Sequence, residues 1–201
     1  VLSRLRLYLG AMWNSCIRRR VVLGVGTMAI LGPTGAPAVQ PDPAGSLPQA
    51  GDLLVHQTHP QAGAVIDPNE LAAGTPPVLA WAMEPNSGIV RNHLHFGLIV
   101  LLRLSADDLT EAETRFAADG IVAFSAICTH AGCVVSGWRP AESRLFCPCH
   151  GSVYDPADGG RVVAGPAPRP LPTLKLRIDD GKLSVASGFS ARIGSSTGRT
   201  D

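Results

Sequence analysis

The sequence predicts an all-β protein built around one folded domain, and three observations support this prediction. Its 201 residues are 45% hydrophobic and 16% charged, which is enough apolar material for a core and excludes a disordered chain. The 22 Gly and 17 Pro favour many turns over long helices. Short apolar runs alternate with these turns, as in antiparallel sheets that pack as a barrel or sandwich.

The individual elements follow from the position and period of the apolar runs. The predicted strands cover residues 78–83, 96–104, 121–127, 144–146, 174–178 and 182–185. The last two flank an Asp-Asp-Gly turn at 179–181, which indicates a hairpin. One helix is predicted in the body, over residues 105–118, with Ser105 as its cap and Asp107 in its first turn.

The charge distribution separates the first 38 residues from the rest of the chain. Residues 1–38 contain five Arg and no acidic residue, so residues 39–201 carry 12 basic and 16 acidic side chains. The overall charge of +1 excludes a strongly basic nucleic-acid-binding protein. A basic flank before the uncharged stretch 21–41 is typical of a segment whose basic end stays in the cytoplasm during insertion.

Residues 1–38 are therefore predicted to be an export signal or a membrane anchor. Three consecutive Arg at 18–20 precede a Gly-rich apolar run, which is similar to a twin-arginine signal for folded proteins. The run ends at Pro33 and is shorter than the roughly 20 apolar residues that a spanning helix needs. Small residues at 36–38 suit a cleavage site, so cleavage and retention both stay open.

The remaining chain is predicted to comprise a linker and a folded domain outside the cytoplasm. Residues 39–52 are rich in Pro and Gly and are predicted to be the linker. Residues 53–201 are predicted to form the domain. The signal-like segment places this domain in the periplasm or on the outer face of the bacterial cytoplasmic membrane.

Two short loops contain four of the five Cys and decide the functional class. They read Cys-Thr-His-Ala-Gly-Cys over 128–133 and Cys-Pro-Cys-His-Gly-Ser over 147–152. Each loop offers a thiolate and an imidazole at metal-ligand spacing, together with one further Cys. Two Cys and two His can hold one tetrahedral zinc ion, or a two-iron cluster with the Cys pair on one iron and the His pair on the other.

The pattern C-T-H-x-G-C … C-P-C-H-G-S resembles the Rieske [2Fe–2S] family, in its high-potential branch that contains a disulfide. The resemblance implies a fold of antiparallel sheets with a small cluster-binding subdomain at about residues 121–170, and one [2Fe–2S] cluster per chain. It assigns the inner iron to Cys128 and Cys147, the outer iron to His130 and His150, and a disulfide to Cys133 and Cys149.

The same resemblance implies residues that tune and cover the cluster. The hydroxyls of Ser152 and Tyr154 are expected to donate to a bridging sulfide and to a Cys sulfur. Such donors stabilise the reduced, more negative cluster and raise its potential. A proline-rich loop is expected to cover the cluster on a third side, and it consists of Gly165, Pro166, Ala167 and Pro168.

The implied function is one-electron transfer by a subunit of an oxidoreductase complex, without catalytic residues of its own. The resemblance favours a complex of the quinol–cytochrome c type, with quinol, cytochrome b and cytochrome c type subunits as partners. Ala131 departs from the Leu that quinol-oxidising members carry at the exposed loop tip, so the partner stays open.

Three alternatives follow from the same residues. The small subunit of arsenite oxidase, which works with a molybdopterin subunit, shares the Val-Ala-Phe-Ser run at 122–125 and export by a twin-arginine signal. The ferredoxins of ring-hydroxylating oxygenases are disfavoured by the disulfide Cys pair and the export signal. A structural zinc-binding module is the alternative from a different class.

Overall fold

The computed structural model describes residues 42–195, which form ten strands in two antiparallel sheets. The strands are β1 (Leu53–His56), β2 (Val78–Met83), β3 (Ile99–Arg103), β4 (Ile121–Ser125), β5 (Gly137–Arg139), β6 (Arg144–Phe146), β7 (Val153–Asp155), β8 (Arg161–Ala164), β9 (Thr173–Asp179) and β10 (Lys182–Phe189). Six of them close a barrel in the order β1-β10-β9-β4-β3-β2. The other four form a sheet in the order β5-β6-β7-β8. The all-β prediction is confirmed.

The four-stranded sheet is an insertion into the barrel. It lies in sequence between β4 and β9, which are themselves paired, with Ala123 opposite Leu174 and Phe124 opposite Thr173. The chain therefore leaves the barrel and returns to it at neighbouring positions. The predicted cluster-binding part began at about residue 121, but β4 belongs to the barrel and the inserted subdomain starts after it.

Strands β3 and β4 separate two hydrophobic cores. Side chains alternate between the faces of a strand, so consecutive residues enter different cores. The barrel interior contains Ile99, Leu101, Ile121 and Ala123. The second core joins the outer face of these strands to the inserted sheet, and it contains Val100, Leu102, Val122, Phe124, Leu145 and Tyr154. Burial on both faces explains why these runs are continuously apolar rather than alternating.

The predicted hairpin is confirmed and the predicted helix is mostly wrong. Strands β9 and β10 are joined through Asp180 and Gly181, whose φ values of 48° and 74° suit a tight two-residue turn. The helix α1 covers only Glu111–Thr114 and is capped by Thr110 instead of Ser105. Ser105 starts a separate turn because its carbonyl accepts the N–H of Asp108 at 3.1 Å and its hydroxyl bonds that residue's carboxylate.

Residues 42–52, which lie in the predicted linker, pack against the barrel. The guanidinium of Arg91 makes two hydrogen bonds to Asp52, at 2.7 and 3.0 Å, and one to the carbonyl of Pro43 at 2.9 Å. The Arg91 and Asp52 side chains are only 6% and 3% exposed, so this is a buried and fully paired ion pair.

The predicted signal segment, including Cys16, lies outside the described residues. Within residues 42–195, no helix is long and apolar enough to cross a membrane.

Candidate metal centre

The two Cys/His loops have the same backbone conformation. In each loop the N–H of the first residue donates to the carbonyl of the sixth, and the N–H of the fifth donates to the carbonyl of the first. These hydrogen bonds measure 2.8 Å for Cys128–Cys133 and Cys147–Ser152, and 3.0 Å for Gly132–Cys128 and Gly151–Cys147. The fifth residue is Gly in both, with φ values of 78° and 73° that other residues rarely adopt. The loops are therefore two copies of one tight turn.

The first residue of each loop is a free, buried thiol. Cys128 and Cys147 are each 1% exposed, and their side chains are in hydrogen-bonding contact with each other. In each loop the thiol sulfur also accepts the backbone N–H groups two and three residues further on. Because donors converge on both sulfurs, each loop is built to stabilise negative charge on its first Cys.

The two thiols differ in their tendency to ionise. Burial raises the pKa of both groups. At Cys128 the Tyr154 hydroxyl and the loop N–H groups outweigh burial, and the pKa of this thiol lies below its ordinary value. At Cys147 burial and the neighbouring Cys128 keep the pKa of the thiol raised. The donors around Cys128 therefore favour thiolate, which is the form that binds metal.

A disulfide between Cys133 and Cys149 joins the two loops, with their Cα atoms 6.5 Å apart. The disulfide that the family resemblance implied is thus confirmed. Both sulfurs lie within 4.8 Å of the Cys147 sulfur. They are not available as ligands because each is already bonded to the other, so the bridge fixes the spacing of the loops without occupying the metal site.

The loop histidines face each other at the outer side of the site. The ring centroids of His130 and His150 are 4.7 Å apart, and the ring planes meet at 84°. His150 is exposed and His130 is half-buried. The Nδ1 atom of His130 is buried and has no hydrogen-bond partner among residues 42–195. A buried polar atom without a partner is costly, and a metal ion is a partner that would satisfy it.

Tyr154 lies beneath the first loop and contacts a predicted ligand. Its hydroxyl is 3.1 Å from the sulfur of Cys128, and its oxygen accepts the N–H of Thr129 at 3.3 Å. The side chain is fully buried on β7. Burial and the neighbouring Cys128 raise the pKa of the phenol, so the hydroxyl keeps its proton and can donate it to sulfur.

Ser152 connects the second loop to the proline-rich segment. Its buried Oγ accepts the N–H of Ala167 at 3.1 Å, which leaves its own proton free for another acceptor. Gly165 has a φ of 87°, and a Cβ there would lie 2.5 Å from the Cα of Ser152. Only Gly permits this close approach, so residues 165–168 lie directly against the second loop.

The structure brings together Thr129 and Arg169, neither of which the sequence pattern marks as functional. The Thr129 hydroxyl, between the predicted ligands Cys128 and His130, donates to the carbonyl of Arg169 at 2.6 Å. The only sequence signal was the position of each residue, one inside a ligand loop and one just after the proline-rich segment. Neither position indicates a partner 40 residues away.

The fold and the site define a class of protein, in which two loops joined by a disulfide place two buried thiols side by side and two imidazoles face to edge on an all-β scaffold. Residues 98–175 match the Rieske [2Fe–2S] domain family. The chain is 33% identical over 150 residues to the cytochrome bc1 complex Rieske iron–sulfur subunit of Streptomyces lividans, covering 72% of this chain and 85% of that protein. The chain therefore belongs to the Rieske [2Fe–2S] family.

Two further similarities extend the comparison. The subunit of the same description from Streptomyces coelicolor is 33% identical over 150 residues, but this chain covers only 41% of its length. The crystal structure of the soluble domain of Rieske protein II from Sulfolobus acidocaldarius is 30% identical, with a TM-score of 0.41, and the match covers 50% of this chain and 66% of that chain.

The family carries a [2Fe–2S] cluster, and the residues of the site suit this cofactor. Two soft thiols are buried side by side, and two imidazoles lie toward the surface with one ring nitrogen unpartnered among the described residues. This division matches a cluster with a Cys pair on one iron and a His pair on the other. Family membership thus favours the cluster over the zinc ion that the donor types alone left open.

Proposed function

We propose that this chain transfers single electrons as the Rieske subunit of a membrane-associated quinol–cytochrome c type complex. In this proposal Cys128 and Cys147 bind the inner iron of the cluster, and His130 and His150 bind the outer iron. The cluster supplies a one-electron carrier. The relatives from two Streptomyces species are subunits of cytochrome bc1 complexes, which supports cytochrome b and cytochrome c type subunits as partners.

The observation that carries the proposal is the unequal burial of the four donors. Both thiols are 1% exposed, whereas His150 is exposed and His130 half-buried. An electron-transfer partner can therefore approach the imidazole side of the centre but not the thiolate side. Ala131 is exposed beside His130, so its small side chain leaves the imidazole edges open to a docked partner.

The disulfide supports a location outside the cytoplasm. A bridge between Cys133 and Cys149 persists in an oxidising compartment and is rare in the cytoplasm. The basic, Gly-rich segment at residues 1–38 supports delivery to the same side by twin-arginine export. We place the domain in the periplasm, or on the outer face of the cytoplasmic membrane if residues 1–38 are retained as an anchor.

Metal analysis of the purified, exported protein tests the cofactor and its ligands. We expect two irons and two acid-labile sulfides per chain, no stoichiometric zinc, and uptake of one electron on reductive titration. His130→Ala and His150→Ala should each lose or alter the cluster spectrum. His95→Ala is the matched control because His95 is exposed and lies outside both loops.

A second experiment tests the partner. The holoprotein should accept electrons from a quinol only when the cytochrome b type subunit of its complex is present, and should then reduce a c-type cytochrome. One zinc per chain without sulfide would contradict the proposed cofactor. A normal cluster without quinol-dependent reduction in the assembled complex would contradict the proposed partner alone.

A further inference from the structure

A buried hydroxyl group lies between the site and the segment that follows the proline-rich loop. Thr129 is fully buried, and its hydroxyl donates to the carbonyl oxygen of Arg169 at 2.6 Å. The same Oγ1 atom lies 3.4 Å from the phenolic oxygen of Tyr154. A hydroxyl has one proton, so this hydrogen bond uses it and ties Thr129 to Arg169.

The backbone of Thr129 helps to fix the position of the Tyr154 hydroxyl. The phenolic oxygen already accepts the N–H of Thr129 at 3.3 Å. Its own proton has two acceptors in reach, the Cys128 sulfur at 3.1 Å and the Thr129 oxygen at 3.4 Å. The sulfur is the closer of the two, and as a proposed cluster ligand it would also be charged; charge-assisted hydrogen bonds are the stronger ones. The proton of Tyr154 is therefore directed at sulfur, and the Thr129–Arg169 hydrogen bond holds in place the backbone N–H of Thr129 that binds the phenolic oxygen.

The side chain of Arg169 is also held by hydrogen bonds. Its guanidinium donates to the carbonyl of Arg192 at 2.6 Å and also to the carbonyl of Gly194. The planar guanidinium suits this forked contact in a way that the single ammonium of Lys does not. The backbone at Gly194 runs against the start of the first loop, because a Cβ there would lie 3.6 Å from the side chain of Ile127.

We propose that Arg169 is a positioning residue for the electron-transfer centre. Its guanidinium anchors residues 192–194, its carbonyl accepts the Thr129 hydroxyl, and Thr129, held in this way, positions the phenolic oxygen of Tyr154 against Cys128 through its backbone N–H. Residues close to the end of the described chain thereby contribute to the reduction potential of the centre. This inference rests on the proposed function, in which the Cys128 sulfur is a cluster ligand.

A double-mutant cycle on the full-length holoprotein tests the proposal. Arg169→Ala removes the anchor, and we expect it to lower the one-electron equilibrium constant for reduction about threefold, or about 28 mV at 59 mV per tenfold change. Thr129→Val breaks the hydrogen bond to Arg169 and keeps the β-branched shape. The backbone N–H of residue 129 is then held less firmly against Tyr154, so the potential should fall as well. Adding Arg169→Ala to Thr129→Val should produce no further shift, because Arg169 acts through the Thr129 hydroxyl.

The cycle also separates positioning from simple charge. Loss of the Arg169 charge alone would shift the potential equally in both backgrounds, and that result would overturn the proposal. An Arg169→Ala variant that contains a full cluster and has an unchanged reduction potential would also overturn the proposal. Thr129→Ser restores a hydroxyl and should restore both the potential and its sensitivity to Arg169.

Arg169→Lys keeps the positive charge but replaces the guanidinium with a single ammonium group. This variant tests the proposal if Arg169→Ala does not fold. It should give a smaller downward shift that disappears in the Thr129→Val background, and a shift that persists there would contradict the proposal. Iron and sulfide content and the visible circular dichroism spectrum should be unchanged in every variant. A wild-type protein without a [2Fe–2S] spectrum would instead contradict the proposed function.

Discussion

The hydroxyl of Tyr154 lies 3.1 Å from the sulfur of Cys128, and both side chains are buried. They come from different parts of the inserted subdomain, since Cys128 begins the first loop and Tyr154 is in the centre of β7. A donor that faces a ligand sulfur in a buried site stabilises the more negative, reduced state of a cluster. This contact is therefore a structural basis for a raised potential.

Tyr154→Phe should lower the reduction potential by tens of millivolts while the cluster stays in place. A hydrogen bond to a charged acceptor contributes about 1.5–3 kcal/mol, and only the part that differs between the oxidised and reduced states changes the potential. Redox titration followed by visible circular dichroism measures the shift. An unchanged potential with full iron and sulfide content would show that this hydroxyl does not donate to the sulfur in the loaded protein.

Ser152→Ala should reduce both stability and potential. The variant leaves the Ala167 N–H without its acceptor, and an unsatisfied buried donor costs about 1–3 kcal/mol. Urea unfolding and redox titration measure the two effects. Ser187→Ala is the matched control because this Ser is exposed on β10, and it should change neither quantity. Equal behaviour of the two variants would contradict a role for Ser152 in joining the loops.

Cys133→Ser and Cys149→Ser should destabilise the folded protein equally, without removing a proposed ligand. The bridge closes a loop with a sequence separation of 16, for which chain entropy predicts about 3 kcal/mol. The cluster should also be lost faster on dilution into chelator, because the loops are no longer held together. If alkylation and mass spectrometry detect both thiols free in active, exported protein, the disulfide does not form in the cell.

Glu113→Gln should stabilise the protein at neutral pH. Glu113 is 2% exposed, and its Oε2 has no hydrogen-bond partner within residues 42–195. Burial, followed by the charge of Asp158, raises the pKa of this carboxyl above 4.5. The carboxyl thus has a higher pKa in the native state than in the unfolded state. At pH values between the two, the native state binds more protons, so the contribution of Glu113 to stability falls as the pH rises from the unfolded-state pKa through the native-state pKa.

The pH dependence provides the measurement for this variant. Urea midpoints of Glu113→Gln and wild type should be similar at about pH 4 and should differ at about pH 8, with the variant more stable. Glu111→Gln is the matched control on the same helix, since the Glu111 side chain is 94% exposed. A wild-type advantage at about pH 8 would mean that an ionised Glu113 has a compensating partner.

Replacing Arg18 and Arg19 with Lys should leave the protein in the cytoplasm. The export machinery is expected to recognise the guanidinium pair and not positive charge alone. Cell fractionation and immunoblotting measure the distribution, and Arg4 and Arg6 changed to Lys provide the control outside the pair. Normal export of the first variant would point to the general secretory route. Amino-terminal sequencing of the exported protein then decides whether residues 1–38 are removed.

The sequence alone was sufficient to predict those structural features whose physical cause lies in residues that are neighbours in the chain. Apolar runs bounded by turn residues located the strands at 78–83 and 144–146 with their observed bounds, and the Asp-Gly pair at 180–181 located a hairpin. The spacing of Cys, His and Gly in two six-residue loops was enough to suggest the family, because the tight turn and its ligands are contained in each loop. The helix prediction failed because Ser105 and Thr110 are both good caps, and pattern alone does not choose between them.

Only the tertiary structure decided the contacts that join distant segments. Sequence pattern identified residues 39–52 as a linker, but the buried pair between Asp52 and Arg91 attaches residues 42–52 to the barrel. The Thr129–Arg169 hydrogen bond likewise spans 40 residues and leaves no periodic trace in the sequence. Such contacts depend on how the barrel brings β4 and β9 together, since this pairing sets the two ends of the inserted subdomain side by side. Local sequence determines the loops and turns, whereas the position of each partner is a property of the assembled fold.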